Sequence, residues 1–431
     1  MRTTNGPFSI ERRAASKVIF FHGIASFAWG TVYPYTAIYL AGLPKVGIGG
    51  VALYYGVAGT TNLIVALTLA TGAIRPAPIP LGVCGTTLSV IGYAIMPFVS
   101  SNPMVMLAAL AIGSGQACFL AAVIPTLNLL IDESERRQVF ARRYQVLNGT
   151  LALGGLTAGG LTAALSHNIL PYLFGITALG YVPITTVQLK IRRLVNDRQN
   201  DTSAPTRPQG TGILSSMAAL LKSCRFVALF QLGVFFIGFS QFESTAPLAA
   251  NKLLNIDLVW FAVMLGANTI VIVFAQDYMT KRLEPYDAIF GLRTALGFWV
   301  AGYLVIALLA LGPPELTIVG LLLYAVLFGL GECAYSCTYH PWLISSVPER
   351  DLTRANALAN SLMGIGMLAG PTLGVALVTT GNATVVWLAL ASATLLVGFT
   401  TVRTTANQLI SSERDALPAT RPAHQPSTPP A

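Results

Sequence analysis

The sequence predicts an all-α membrane protein, with twelve transmembrane helices in two pseudo-symmetric six-helix bundles. Three observations predict it. First, 54% of the 431 residues are hydrophobic and 10% charged, with mean hydropathy +0.65. A soluble domain carries roughly a quarter of its residues as charges, so these are too few to coat a globule and the surface suits lipid. Second, apolar runs long enough to cross a bilayer as helices recur along the whole chain. Strands of a membrane barrel would alternate in units of about ten residues, and these runs are far longer. Third, a signature at the start of the fifth run returns at the start of the eleventh.

The runs fall at 17–40, 48–74, 77–99, 103–131, 144–166, 168–190, 225–249, 258–280, 288–312, 315–346, 355–380 and 382–403. Several exceed the minimum span, which implies tilted or curved helices. IRPAPIP alone separates the second from the third. The positive N-terminal arm and the first run have the outline of a signal peptide, but the run is too long and lacks a small-residue cleavage site, so retention is expected. One long polar interruption, at 191–212, divides the chain. It yields an N-terminal bundle (1–190), a cytoplasmic linker (191–224), a C-terminal bundle (225–404) and a proline-rich disordered tail (405–431). Within the linker, ILSSMAALLKSC reads as a short amphipathic helix lying along the membrane surface.

Lys and Arg set the orientation. Of the 26, all but Lys45 and Lys252 fall on one side, which is therefore assigned to the cytoplasm together with both termini and the central loop. The basic character reports topology and anionic lipid, with no nucleic acid as partner. A multi-pass protein of the plasma or inner membrane, acting as a monomer, is expected. The five cysteines have no metal-ligand spacing and read as packing residues. No phosphate-binding glycine loop, HExxH or GxSxG occurs, so neither ATP hydrolysis nor a cofactor is expected.

The repeated signature is Arg, five residues, Asn, five residues, Gly: Arg142, Asn148 and Gly154, then Arg354, Asn360 and Gly366. Duplicated halves are a habit of transporters. Both spans also carry glycines four apart, Gly155 with Gly159 and Gly366 with Gly370. Such stripes allow close helix packing where lipid supplies no hydrophobic drive.

Three acids lie within spans: Glu243, Asp277 and Glu332. A charged carboxylate at a helix centre costs about 2.5–3.5 kcal/mol on insertion scales. Glu332 lies near the midpoint of the tenth span. At about 100° per residue it shares a sector of roughly 140° with Tyr335, Ser336, Tyr339 and His340, a stripe that suggests the wall of a wet cavity. The plainer alternative is a protonated acid bonded to a neighbouring helix. On the first span His22, Ser26, Trp29, Tyr33 and Thr36 fall within about 80°, either as a binding face or as an interhelical seam, with His22 near enough the end to be solvated. Glu243 shares a face with Ser240, Ser244 and Pro247, as a proton or cation site or as a solvated vestibule residue. Gln116, Asn268 and Thr269 are further polar candidates. Asp277 stands four and five residues before Lys281 and Arg282, a spacing for a helix-end ion pair that latches the bundles or merely caps the helix.

Taken together, these features resemble the major facilitator superfamily over essentially the whole chain. The resemblance implies alternating access around a cavity lined mainly by helices 1, 4, 7 and 10. Asp277, Lys281 and Arg282 match the second copy of the family's loop signature; in the first copy Thr71 replaces the acid and Arg75 remains. Gln241-x-Glu243 and Gly331-Glu332 are similar to patterns of the drug:proton antiporter branch. Its helix-4 arginine is absent, with Ala111 in that place, and Gly154-Gly155 lacks the helix-5 proline, whereas Gly370-Pro371 resembles that motif in span 11. The implied function is proton-coupled export of small amphipathic molecules. Glu332, with Glu243, would handle the proton, and His22, Trp29, Tyr33, Gln116, Asn268, Tyr335, Ser336 and Tyr339 would line the cavity. Asp277, Lys281, Arg282, Arg142 and Arg354 would gate. Rival readings are an importer or facilitator of the same fold, a polytopic membrane enzyme, against which the short outer loops argue, and a receptor or sensor, which no appended domain supports.

Overall fold

The computed structural model describes residues 8–165, 167–202, 213–256 and 258–398. The tail at 405–431 and residues 203–212 of the linker lie outside them. The described chain is helical throughout, and its helices answer the sequence runs one for one. In chain order they are α1 (Phe8–Val32, continuing through Tyr33–Tyr35 into Thr36–Ala41), α2 (Gly47–Thr71), α3 (Pro78–Ile95), α4 (Asn102–Leu130), α5 (Arg136–Leu165), α6 (Leu170–Thr202), α7 (Ile213–Gly233, then Val234–Phe239, Gln241–Thr245 and Ala246–Leu254), α8 (Leu258–Leu283), α9 (Ala288–Leu309), α10 (Pro314–Ser345), α11 (Leu352–Val378) and α12 (Ala383–Val397). Nine of these are, among the described residues, long and apolar enough to cross a membrane. α1 and α5 open on charged turns, and the described part of α12 is short.

Packing repeats between the halves. In the first, α3 lies against α4 and α6, α2 against α4, and α1 against α5; in the second, α9 lies against α10 and α12, α8 against α10, and α7 against α11. Between the halves, α2 meets α11 and α5 meets α8, while α4 meets α11 and α5 meets α10. These four pairs form two sets of images, as a duplicated chain folded about a two-fold axis requires.

Glycines set the closest approaches. A Cβ on Gly30 would lie 2.3 Å from the Leu151 carbonyl oxygen, and one on Gly154 would press into the Phe27 carbonyl, so α1 and α5 touch backbone to backbone. On α11, Gly366 lies against the α7 backbone at Phe236, while Gly370 and Gly374 make room for the side chains of Ser240 and Thr245. The stripe expected on α5 is displaced, because Gly155 and Gly159 face more open surroundings than Gly154.

The linker differs from expectation. ILSSMAALLKSC is no separate surface helix: α7 runs unbroken from Ile213, with Leu220 and Cys224 buried. Neither glycine nor proline interrupts it before Gly233.

α7 changes pitch at mid-span. Val234–Phe239 and Gln241–Thr245 are π-helical. Pro247, lacking an N–H, cannot close the α-helical bond to the Glu243 carbonyl, and wide turns of this kind absorb such a loss. Gln241, fully buried, completes the repair. Its Nε2 donates to the Phe236 carbonyl at 2.6 Å and to the Gly370 carbonyl of α11 at 2.9 Å, and its Oε1 accepts from the Thr245 hydroxyl.

Candidate functional site between the two halves

Glu332 lies on the face of α10 turned toward the opposite half. It is only 4% exposed. One carboxylate oxygen accepts a hydrogen bond from Asn268 Nδ2 of α8 at 2.9 Å, and the other accepts from the Tyr144 hydroxyl of α5. In this conformation the acid therefore sits in the plane between the two halves, sealed, and not in the wall of an open cavity. Helix α5 closes over it here. Hydrogen bonds to a charged group are worth roughly 1.5–3 kcal/mol each, enough to offset much of the insertion cost.

Other members of the expected α10 stripe point elsewhere. Tyr335 turns into its own bundle, where its hydroxyl donates to Gln231 Oε1 at 2.5 Å and its ring meets Phe230, Phe239 and Trp299. Tyr339 stacks on Tyr335 at 5.1 Å and is fully buried. Ser336 donates to Gln276 Oε1 of α8 at 3.0 Å. These three fill the C-terminal bundle and do not line a shared cavity. A sector of 140° was wide enough to take in both the interface and the bundle core.

The α1 stripe is likewise divided. Ser26 donates to the Leu147 carbonyl of α5 at 2.9 Å and Thr36 to its own helix at 2.8 Å, so both are seam residues. Trp29 is half-buried against Tyr33, which is 50% exposed and feels the charge of Glu243 from the other half. His22 is buried, not solvated, with its ring 4.6 Å from that of Phe119. Gln116 is half-buried beside the Tyr93 hydroxyl, inside the N-terminal bundle. Thr269 donates only to the carbonyl of Leu265 in its own turn. Glu243 is exposed, whereas Ser240 is buried against Gly370; the π-helical turns separate these residues, which an α-helical wheel had put on one face.

The gate is built mainly from backbone carbonyls. Arg354, at the start of α11 and buried, donates to the carbonyls of Ala70 and Thr71 at 3.2 Å each while pairing with Asp351 at 2.7 Å. It also stands over Gly72, whose left-handed backbone (φ 75°) ends α2 and where a Cβ would lie 2.6 Å from Arg354 Nε. On the mirror side Arg137, at the start of α5, donates to the carbonyls of Leu283 and Tyr286 at the end of α8. Thr71 and Leu283 are as far apart in sequence as Arg142 and Arg354, so the carbonyl is the expected one and the arginine is not. Arg142 acts one step removed: it bonds Gln145 at 2.6 Å, and Gln145 donates to the Val273 carbonyl across the interface. Asn356 adds a tie from α11 to the Leu120 carbonyl of α4 at 2.6 Å. The expected ion pair of Asp277 with Lys281 or Arg282 does not form. Arg282 instead bonds and covers Tyr278, and Asp277 is exposed on the wall of a funnel with Lys281. All these inter-half ties lie toward the basic end of the helices.

A helical membrane protein of two matched halves, with its buried acid and its ties on the plane between them, is built as a transporter. The Major Facilitator Superfamily model matches residues 18–325, and the chain belongs to that family. Solved structures agree on the fold. A bacterial homologue of the iron transporter ferroportin, in an outward-facing state, is 12% identical with TM-score 0.73, covering 91% of this chain and 99% of that one. The human organic anion transporter MFSD10 (TETRAN) is 16% identical with TM-score 0.66, over 92% and 99%. The transporter FucP in its outward conformation is 15% identical with TM-score 0.63, over 90% and 99%. No curated protein matches the sequence.

Proposed function

We propose that the protein exports small amphipathic molecules in exchange for protons, by alternating access, with Glu332 as the proton carrier. The supporting observation is the bond from Tyr144 to Glu332, because it makes the charge of one side chain a component of the contact between the halves. Ionised, Glu332 accepts from both Tyr144 and Asn268, and the basic end stays shut. A proton arriving from the opposite side neutralises the carboxylate, turns one of its acceptor positions into a donor and weakens both bonds. The halves can then separate at the basic end, where loss of the proton restores the charge and favours substrate capture. Glu243 and Tyr33, exposed toward the other end, serve the outer mouth. The Lys and Arg distribution supports a cell-membrane protein with both termini cytoplasmic, working as a monomer in the bilayer.

Proteoliposome transport tests this. With an imposed pH gradient, native protein is expected to move amphipathic probes against their own gradient. Glu332→Gln, neutral at every pH, is expected to lose that drive at least roughly ten-fold while still binding substrate. Unchanged pH-driven flux in the variant removes the assignment.

A further inference from the structure

Arg143 is the unexplained cation of the interface. It is 8% exposed on α5, one residue from Tyr144, and among the described residues it makes no hydrogen bond and no ion pair; its Nε is fully enclosed without a partner. An arginine cannot shed its charge as a lysine can, so a buried one needs an anion. Among the described residues, no acid pairs with it. Two imidazoles stand within reach of its field instead: His22 of α1, 7% exposed, and His340 of α10, whose ring lies 5.4 Å from that of Phe140. Nδ1 of each is buried with no partner. Three nitrogen-bearing side chains from both halves thus gather with unused hydrogen-bonding capacity at one place on the plane between the halves. The other buried arginine of the interface is satisfied, as Arg354 is by Asp351 and two carbonyls.

A way in leads there. At the basic end a funnel of about 950 Å³ opens between the halves, with Arg12, Arg136 and Lys281 among its lining residues. Ile19, Ala141, Pro341 and Trp342 also line it. His340 directly adjoins Pro341, Arg143 lies two residues beyond Ala141, and His22 three beyond Ile19. The cluster is therefore the next layer inward from the funnel's mouth.

We propose that Arg143, with His22 and His340, binds an anionic head group, a carboxylate or phosphate, carried by the transported molecule. This rests on the transporter reading and narrows its substrate class from amphipathic molecules to amphipathic anions. When the basic end opens, the funnel delivers the anion to a guanidinium that offers planar, paired donors. The imidazoles bond its remaining oxygens, and one site drawn from both halves senses whether it is filled. The anion also supplies the charge that Arg143 otherwise lacks when the halves close again.

The test uses the full chain in phosphatidylcholine nanodiscs. The probes are inorganic phosphate, sulfate, 1-naphthyl phosphate and 1-naphthylacetate, compared with neutral 1-naphthylacetamide and cationic 1-naphthylmethylamine. Thermal stabilisation by the anions alone is expected. Its midpoint concentration should rise about ten-fold or more in Arg143→Gln and stay unchanged in Arg192→Gln, an exposed residue of α6. If Arg143→Gln does not fold, His340→Gln carries the same comparison with a smaller rise. Stabilisation by no anion, or one that survives in both variants, overturns the proposal. So does a response confined to discs doped with phosphatidylglycerol, which would make the site a lipid's. pH-driven flux of the amide or amine that needs Glu332 and ignores Arg143 would sink the anion and leave the exporter standing. Anion binding that depends on Arg143, without any flux, would do the reverse.

Discussion

Tyr144 lends its hydroxyl to a carboxylate that belongs to the other half, and the proposed proton cycle turns on this single donor. Removing it leaves Glu332 with Asn268 alone. Tyr144→Phe keeps the ring and its packing, so the loss is confined to a bond worth roughly 1.5–3 kcal/mol. The basic end should then open about ten-fold or more often. Spin labels at the exposed positions 134 and 284 would show a longer-distance population growing at neutral pH, and an unchanged distance distribution would mean that the bond does not hold the gate. Some of this was legible in the sequence. An acid in the middle of an apolar run has few ways to survive, so Glu332 stood out, and Asn268 with it. Tyr144 and Arg143 did not, because both fall in ERRQVFARRYQVL, where membrane orientation accounts for the run of arginines and the repeated signature singles out only Arg142. Tyr335 and Tyr339 stood out for the wrong reason: aromatic residues flank a cavity and fill a core alike, and only the neighbouring helices decide between the two.

At the scale of the helix, α7 shows why a wheel drawn at 100° per residue fails. Pro247 takes a donor out of the ladder, the backbone widens into π turns, and the register of every later side chain rotates. Glu243 thereby becomes exposed while Ser240 moves in against Gly370. The proline was visible in the sequence, but the side of the helix on which the extra residue would be absorbed was not. Gln241 holds the widened turn, and its three hydrogen bonds tie together α7 and α11. Gln241→Leu is similar in volume, takes the second donor from the Phe236 and Gly370 carbonyls and removes the acceptor of the buried Thr245 hydroxyl, at about 1–3 kcal/mol in all. A melting temperature lower by at least a few degrees is expected, followed by tryptophan fluorescence of the purified protein, since Trp299 packs on Phe239 of the same segment. A melting temperature equal to the native one would mean that the π turns hold without the glutamine.

For the whole molecule, duplication explains the architecture and divergence explains the gate. The Arg–Asn–Gly signature was readable because both copies kept it at the start of equivalent helices. Its consequence was not readable, since the two copies share the work differently. Arg354 reaches the end of α2 directly, whereas Arg142 leaves the end of α8 to Arg137 five residues earlier. Each arginine places a positive charge on the carbonyl-rich end of a helix in the opposite half, where helix dipole and open acceptors both favour it. Both bonds must break whenever the basic end opens, so each should shift the open–closed balance by itself. Arg354→Gln and Arg137→Gln are each expected to raise the open population several-fold, as a cost of about 1–2 kcal/mol implies. Arg354→Gln should be the larger, because it also removes the shorter of the two ion pairs of Asp351, leaving it Arg350 alone at 3.7 Å. The two latches share no partner and sit on opposite sides of the pseudo-two-fold, so the double variant should be close to the sum of the singles. Distances between labels at positions 134 and 284, recorded for both singles and the double, decide the matter. A double variant no more open than Arg354→Gln would show that one arginine alone holds the gate and that Arg137 merely decorates the end of α8.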